Sequence, residues 1–96
     1  MQVLVVAGLV EGISEERLAP LGKEEALRGW ELYAAGRLRW VASRTDKRGI
    51  VAIFEAGDME EVRKAVESMP MVKAGFIAVE LIPLAPYVGF ERLFAK

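Results

Sequence analysis

Three segments of this chain read as β-strands that are apolar on both faces. They are "QVLVVAGLV" at residues 2–10, "IVAIF" at 50–54 and "GFIAVELIPL" at 75–84. Successive strand residues point to opposite faces. The last segment therefore sets Ile77, Val79 and Leu81 on one side, and Phe76, Ala78, Glu80 and Ile82 on the other. A sheet with one face in water alternates apolar with polar, and these segments do not. Both faces must be covered, yet 96 residues make one domain, residues 1–96, with room for few other elements. A hydrophobic share of 53% is high for a soluble domain and suggests apolar surface shared between subunits.

The covering elements on one side are two helices. Ser14 is placed to cap a first helix, with Glu15 and Glu16 favourable in its first turn. Ala26, Leu27, Trp30, Tyr33 and Ala34 follow at helical spacing, and Pro20 and Gly22 predict a kink or late start before them. Gly36 ends this helix. Asp58 and Glu61 form a capping box before Val62, Ala65, Val66 and Met69, and Pro70 stops that run. The order β-α-β-β-α-β is the split ferredoxin-like unit, an α+β fold on an antiparallel four-stranded sheet. The second face is then left for another subunit, giving a homodimer or larger homo-oligomer. Residues 86–96 carry Tyr87, Phe90, Leu93 and Phe94, and are expected to contact that partner; the alternative is a tail folded back over its own sheet.

The hairpin at residues 36–58 locates a candidate site. "DKRG" suits a type I turn with Gly49 left-handed, which sets Asp46 opposite Ile50. In that register Leu38, Trp40 and Ala42 face the helices with Ala52 and Phe54. Arg39, Val41 and Ser43 then share the outer face with Val51, Ile53 and Glu55. Trp30 and Trp40 are expected in the core, Arg37 and Arg44 at solvated strand ends, and Lys47 and Arg48 on the surface. The inter-subunit cleft would hold Arg39, Glu55 and Glu80 among Phe76, Ile82 and other apolar walls. That suits a small-molecule site. Glu80 is the candidate acid or base, and Arg39, Glu55, Phe76 and Ile82 the candidate substrate-binding residues. The same charges also fit cross-strand or interfacial ion pairs.

Composition excludes several chemistries. There is no cysteine, so no disulfide or thiolate, and no histidine, the commonest metal ligand and proton carrier near neutral pH. No metal site is expected. A net charge of −1 gives no global field for nucleic acid, and none is expected as a partner. "MQVLVVAGLV" is too short to span a bilayer and lacks a basic start, so it reads as a strand of a cytoplasmic protein with no membrane association.

The run "RLRWVASRTDKRGIVAIFEAGDMEEVRKAVESMPMVKAGFIAVELIPLAP", residues 37–86, resembles the muconolactone delta-isomerase family of the dimeric α+β barrel superfamily. The shared features are a Trp-bearing strand after the first helix, then "FEAGDMEEVRKAVESMPM", then "VELIPLAP". The resemblance implies ferredoxin-like subunits that pair through facing sheets. It also implies a proton shift on an unsaturated five-membered lactone with no metal or organic cofactor. A non-catalytic ligand-binding oligomer and a purely structural assembly remain the alternatives.

Overall fold

The computed structural model describes residues 1–96, and its elements follow the expected order. They are β1 (Gln2–Leu9), α1 (Glu15–Leu18), a 3-10 turn (Ala19–Leu21), α2 (Gly22–Ala34), β2 (Leu38–Ser43), β3 (Gly49–Glu55), α3 (Met59–Glu67), α4 (Pro70–Lys73) and β4 (Ile77–Leu84). A second 3-10 segment, Gly89–Leu93, lies in the tail. The strands form one antiparallel sheet in the order β2-β3-β1-β4.

Local chemistry sets the helix ends. The Ser14 hydroxyl accepts from the Arg17 N–H at 3.4 Å, and Pro20 breaks the run into α1, the turn and α2. Asp58 Oδ1 accepts from the Glu61 N–H at 2.9 Å, while Glu61 Oε2 accepts from the Gly57 N–H at 2.9 Å. The first is an orphan donor of the α3 start, and the second lies one residue before the Asp58 cap, so the return bond of the box falls on Gly57. Pro70 ends α3's run by forcing Met69 into an extended conformation, but it also opens α4 as its first residue.

One face of the sheet carries the core. Val3, Val5, Ala52, Phe54 and Leu38 pack with Leu32 of α2 and with Val62, Ala65 and Val66 of α3. Opposite residues of an antiparallel pair share a face. Val5 opposite Leu81 and Ala7 opposite Val79 therefore put the Ile77, Val79, Leu81 set on the helix side, and Glu80 opposite Val6 on the open side. Leu4, Val6, Val51, Ile53 and Ile82 line the open face and are only half-buried.

The hairpin departs from the expected register. The Arg44 N–H donates to the Gly49 carbonyl at 2.9 Å around a four-residue loop, and Ser43, not Asp46, lies opposite Ile50. A shift of three residues is odd, so it exchanges the faces. Trp40 and Ala42 stand opposite Ile53 and Val51 on the open face, and Val41 and Ser43 opposite Ala52 and Ile50 on the helix face. A bulge between Leu38 and Trp40 restores the parity, so Leu38 is buried opposite Phe54. Trp40 is thus 52% exposed and not core, and Trp30 on α2 is 65% exposed. The expected α2 stripe is not packed into the core: Leu27 and Tyr33 are exposed, and Leu32 is the buried residue.

Gly49 has the positive φ that favours glycine. Its φ is +155°, and a Cβ there would overlap the Ala7 carbonyl oxygen of β1. Gly49→Ala is expected to destabilise the fold by about 1–3 kcal/mol. That lowers the melting temperature by roughly 4–8 °C per kcal/mol for a domain of this size. A calorimetric melt superimposable on the parent's would show that β1 and β3 separate there without cost.

The tail does not fold back. Tyr87, Phe90, Leu93 and Phe94 are all exposed, with Phe94 at 82%. The radius of gyration is 15.6 Å, against about 12.5 Å for a compact domain of this length.

Candidate functional site

A cavity of about 800 Å³ lies between the helix face of the sheet and α2 and α4. Val5, Ala7, Ile50 and Ala52 form its floor. Gly29, Trp30 and Tyr33 of α2 line one wall, with Met69, Met71 and Val72 on another. The walls are mostly hydrophobic, and Glu25 is the one carboxyl along them.

Glu25 sits in the first turn of α2 and is half-buried. Its Oε1 accepts from the Met71 N–H at 2.9 Å, which ties α2 to α4. Burial pushes the carboxyl above its ordinary pKa, and the Met71 N–H offsets part of that rise. A carboxyl raised by desolvation inside an apolar cavity moves toward the range useful for proton exchange at neutral pH.

The cations at the hairpin end are already engaged. Arg44 donates from Nε to Asp46 Oδ1 at 3.0 Å and from Nη2 to Oδ2 at 2.7 Å. This bidentate pair holds the Asp46 carboxyl down at about 2. Arg44 is thus mostly covered, with 18% of its side chain exposed, and is not the solvated strand end expected. Arg48 Nε lies 3.2 Å from Glu15 Oε1. No group of three metal-ligating side chains gathers anywhere in the chain.

The residues expected to form a site are dispersed within the subunit. Glu80 and Ile82 share the open face, and Glu80 makes no hydrogen bond or ion pair within the chain. Glu55 is also on that face, but its row is Gln2 and Leu84, whereas Glu80 is in the row of Val6 and Val51. Four residues separate those rows, about 13 Å along the strands. Glu55 lies 3.9 Å from the Met1 amine. Arg39 is the exposed bulge residue of β2, not a regular outer-face partner of Val51 and Ile53. Phe76 precedes β4 and packs under the Arg17 guanidinium, 4.8 Å from the ring centroid.

Glu25 is the residue that sequence reasoning passed over. Its signal was present: Glu25, Gly29 and Leu32 fall at i, i+4 and i+7, one line of a helix, and all three meet the cavity. The more hydrophobic aromatic stripe lies one position away, at Ala26, Trp30 and Tyr33.

Two solved structures share this architecture. A 5-chloro-2-hydroxyhydroquinone dehydrochlorinase from Burkholderia phenoliruptrix, in complex with 2,5-dihydroxybenzoquinone, matches with a TM-score of 0.75 and 21% identity over 91% of this chain and 96% of its own. A muconolactone isomerase matches with a TM-score of 0.77 and 14% identity over 93% of each chain. At these identities the likeness establishes the fold, an α+β sandwich of one antiparallel sheet and its helices. No curated protein matches the chain, and no helix is long and apolar enough to cross a membrane. The family model for muconolactone delta-isomerase matches residues 3–89, nearly the whole sheet and all of α1 to α4, and the chain belongs to that family.

Proposed function

We propose that the protein is a cofactor-free enzyme that moves a proton on a small unsaturated lactone or a related oxygenated ring, with Glu25 as acid and base. The observation that carries this reading is a lone carboxyl of raised pKa in a mostly apolar cavity whose two cations, Arg44 and Arg48, are paired with Asp46 and Glu15. Isomerisation and loss of hydrogen chloride, the reactions of the two structural relatives, can each begin by removing a proton beside an electron-withdrawing group. A carboxylate is competent for that in a chain with no histidine.

The steps balance with this one group. Ionised Glu25 takes a proton from the carbon next to the ring's conjugated system, leaving an enolate. The carboxylic acid so formed returns the proton at the far end of the conjugated system, which shifts the double bond and restores Glu25. The mostly apolar walls lower the polarity around the enolate, and the Met71 N–H fixes the carboxyl's orientation. The direct test is proton exchange: the enzyme in deuterated water should exchange the acidic position of an unsaturated lactone, followed by NMR. Exchange at the buffer rate alone would remove the reading.

A second reading uses the open face. Paired sheets of two subunits would enclose Glu80 with Ile53 and Ile82, and a carboxylate there would be desolvated by the partner. Arg39, Glu55 and Phe76 would then contact substrate only with residues supplied across the assembly. The supporting observation is the uncovered apolar open face. We place the protein in the cytoplasm as a homo-oligomer.

A further inference from the structure

We infer that the ligand of the helix-side cavity is larger than a single five-membered ring: its reactive unsaturated ring carries a second apolar ring or chain that lies against Trp30 and Tyr33. This rests on the reading of Glu25 as the proton carrier. Three independent features point to it.

The first is room. At roughly 30 Å³ per water, a cavity of about 800 Å³ holds the volume of some 25 waters, near the upper end of small-molecule sites. A monocyclic lactone fills a small part of it and leaves apolar wall against water.

The second is Gly29. It stands in the middle of α2, where glycine is less favourable than alanine. Its backbone is not left-handed, and the nearest atom to a built Cβ is Met69 Cε at 4.0 Å, an ordinary contact. Neither conformation nor packing within the chain requires glycine there. What the missing side chain does is keep the α2 wall of the cavity open.

The third is the aromatic pair beside that gap. Trp30 and Tyr33 both line the cavity and stack on each other, with ring centroids 5.5 Å apart and planes at 30°. They are 65% and 52% exposed, so their free surfaces are not used by the chain's own core. Ordered, unburied aromatic surface next to an open apolar wall suits a flat apolar group of a ligand. Binding energy from such a remote group can position the reacting ring at Glu25.

The test compares two neutral unsaturated lactones, butenolide with one ring and coumarin with two, by titration calorimetry on the full chain. Coumarin is expected to bind at least about tenfold tighter, from the apolar area its second ring buries. Gly29→Leu fills the gap and should bring the two within about twofold. Trp30→Ala, at an exposed position, should also shrink the preference and serves if Gly29→Leu does not fold. Equal affinities in the parent, a preference that survives both substitutions, or no coumarin binding would each overturn the inference. Glu25→Gln separates it from the reading it rests on. Loss of proton exchange with the ring preference intact supports both; exchange that persists in Glu25→Gln removes the catalytic reading and leaves the ring preference to be judged by the affinities.

Discussion

Glu25→Gln is expected to lower turnover by roughly 10²–10⁴-fold, the usual worth of a general acid or base. Glutamine keeps an oxygen for the Met71 N–H and the volume of the side chain, so the cavity and the α2–α4 tie should persist. The fold supplies a second readout. Glu25's carboxyl has a folded pKa above its ordinary 4.5, so the folded state favours the protonated form. Its stabilising contribution is complete below the unfolded pKa and is lost as pH rises through the folded value. Glutamine imitates the neutral acid at every pH. The variant should therefore lose this part of the pH dependence and melt at or above the parent's temperature at pH 7. Asp46 has the opposite sign: its carboxyl is held at about 2, so its pairing with Arg44 contributes above the ordinary pKa of 3.8 and is lost as pH falls toward 2. Melting curves between pH 4 and pH 8 thus isolate Glu25 from Asp46. Glu80→Gln is the companion variant. If it loses turnover while Glu25→Gln retains it, the chemistry belongs to the open face.

The strand parities explain why the sheet was legible and the hairpin was not. In β4 a single alternation fixes both faces, and the pairing of Val5 with Leu81 and Val6 with Glu80 bears it out. In β2 the faces depend on where the turn closes. "TDKR" forms a four-residue loop, and the bulge at Arg39 inserts a second parity change within five residues. Two compensating irregularities leave Leu38 where alternation puts it and move Trp40 to the other side. Nothing in the residue types announces the bulge, because Arg39 is equally at home in an exposed strand.

The helix face failed for a different reason. Hydrophobicity selects Leu27, Trp30 and Tyr33 as the core side of α2, and in a chain that buried all its apolar surface they would be. Here a cavity takes the place of part of the core, so the aromatic residues lie along its mouth, and the line facing inward runs Glu25, Gly29, Leu32. A carboxyl and a glycine on the inner line of a helix are poor packing and useful site chemistry. The mismatch between propensity and place marks the site, a conflict expected where function overrides local preference.

The open face carries the second large expected effect: the protein should be an obligate homodimer or larger in solution, and Ile53→Asp should release it as a monomer. Ile53 lies opposite both Leu4 and Trp40, at the middle of a half-buried apolar surface to which no helix of the chain is applied. A partner sheet laid on it would make an interface of the obligate class, above about 2,000 Å² in total. In a two-fold pairing each substitution appears twice. An uncompensated buried charge costs about 3–5 kcal/mol. Two of them weaken association by at least about 10⁴-fold at 1.4 kcal/mol per decade. In the separated subunit the same aspartate faces water, so the fold itself should tolerate it. Sedimentation at micromolar concentration reads the outcome directly, and a compact, stable parent monomer would end the argument for facing sheets. The tail is tested alongside. Tyr87 and Phe90 pack edge to face, 5.0 Å between centroids, yet both stay exposed, so they form a preassembled apolar tip with no surface of their own chain to bury it. A chain ending at Ala85 should assemble more weakly than the parent. If it keeps the parent's mass and melting temperature, the sheets alone hold the subunits together and the tail makes no contact that matters to them.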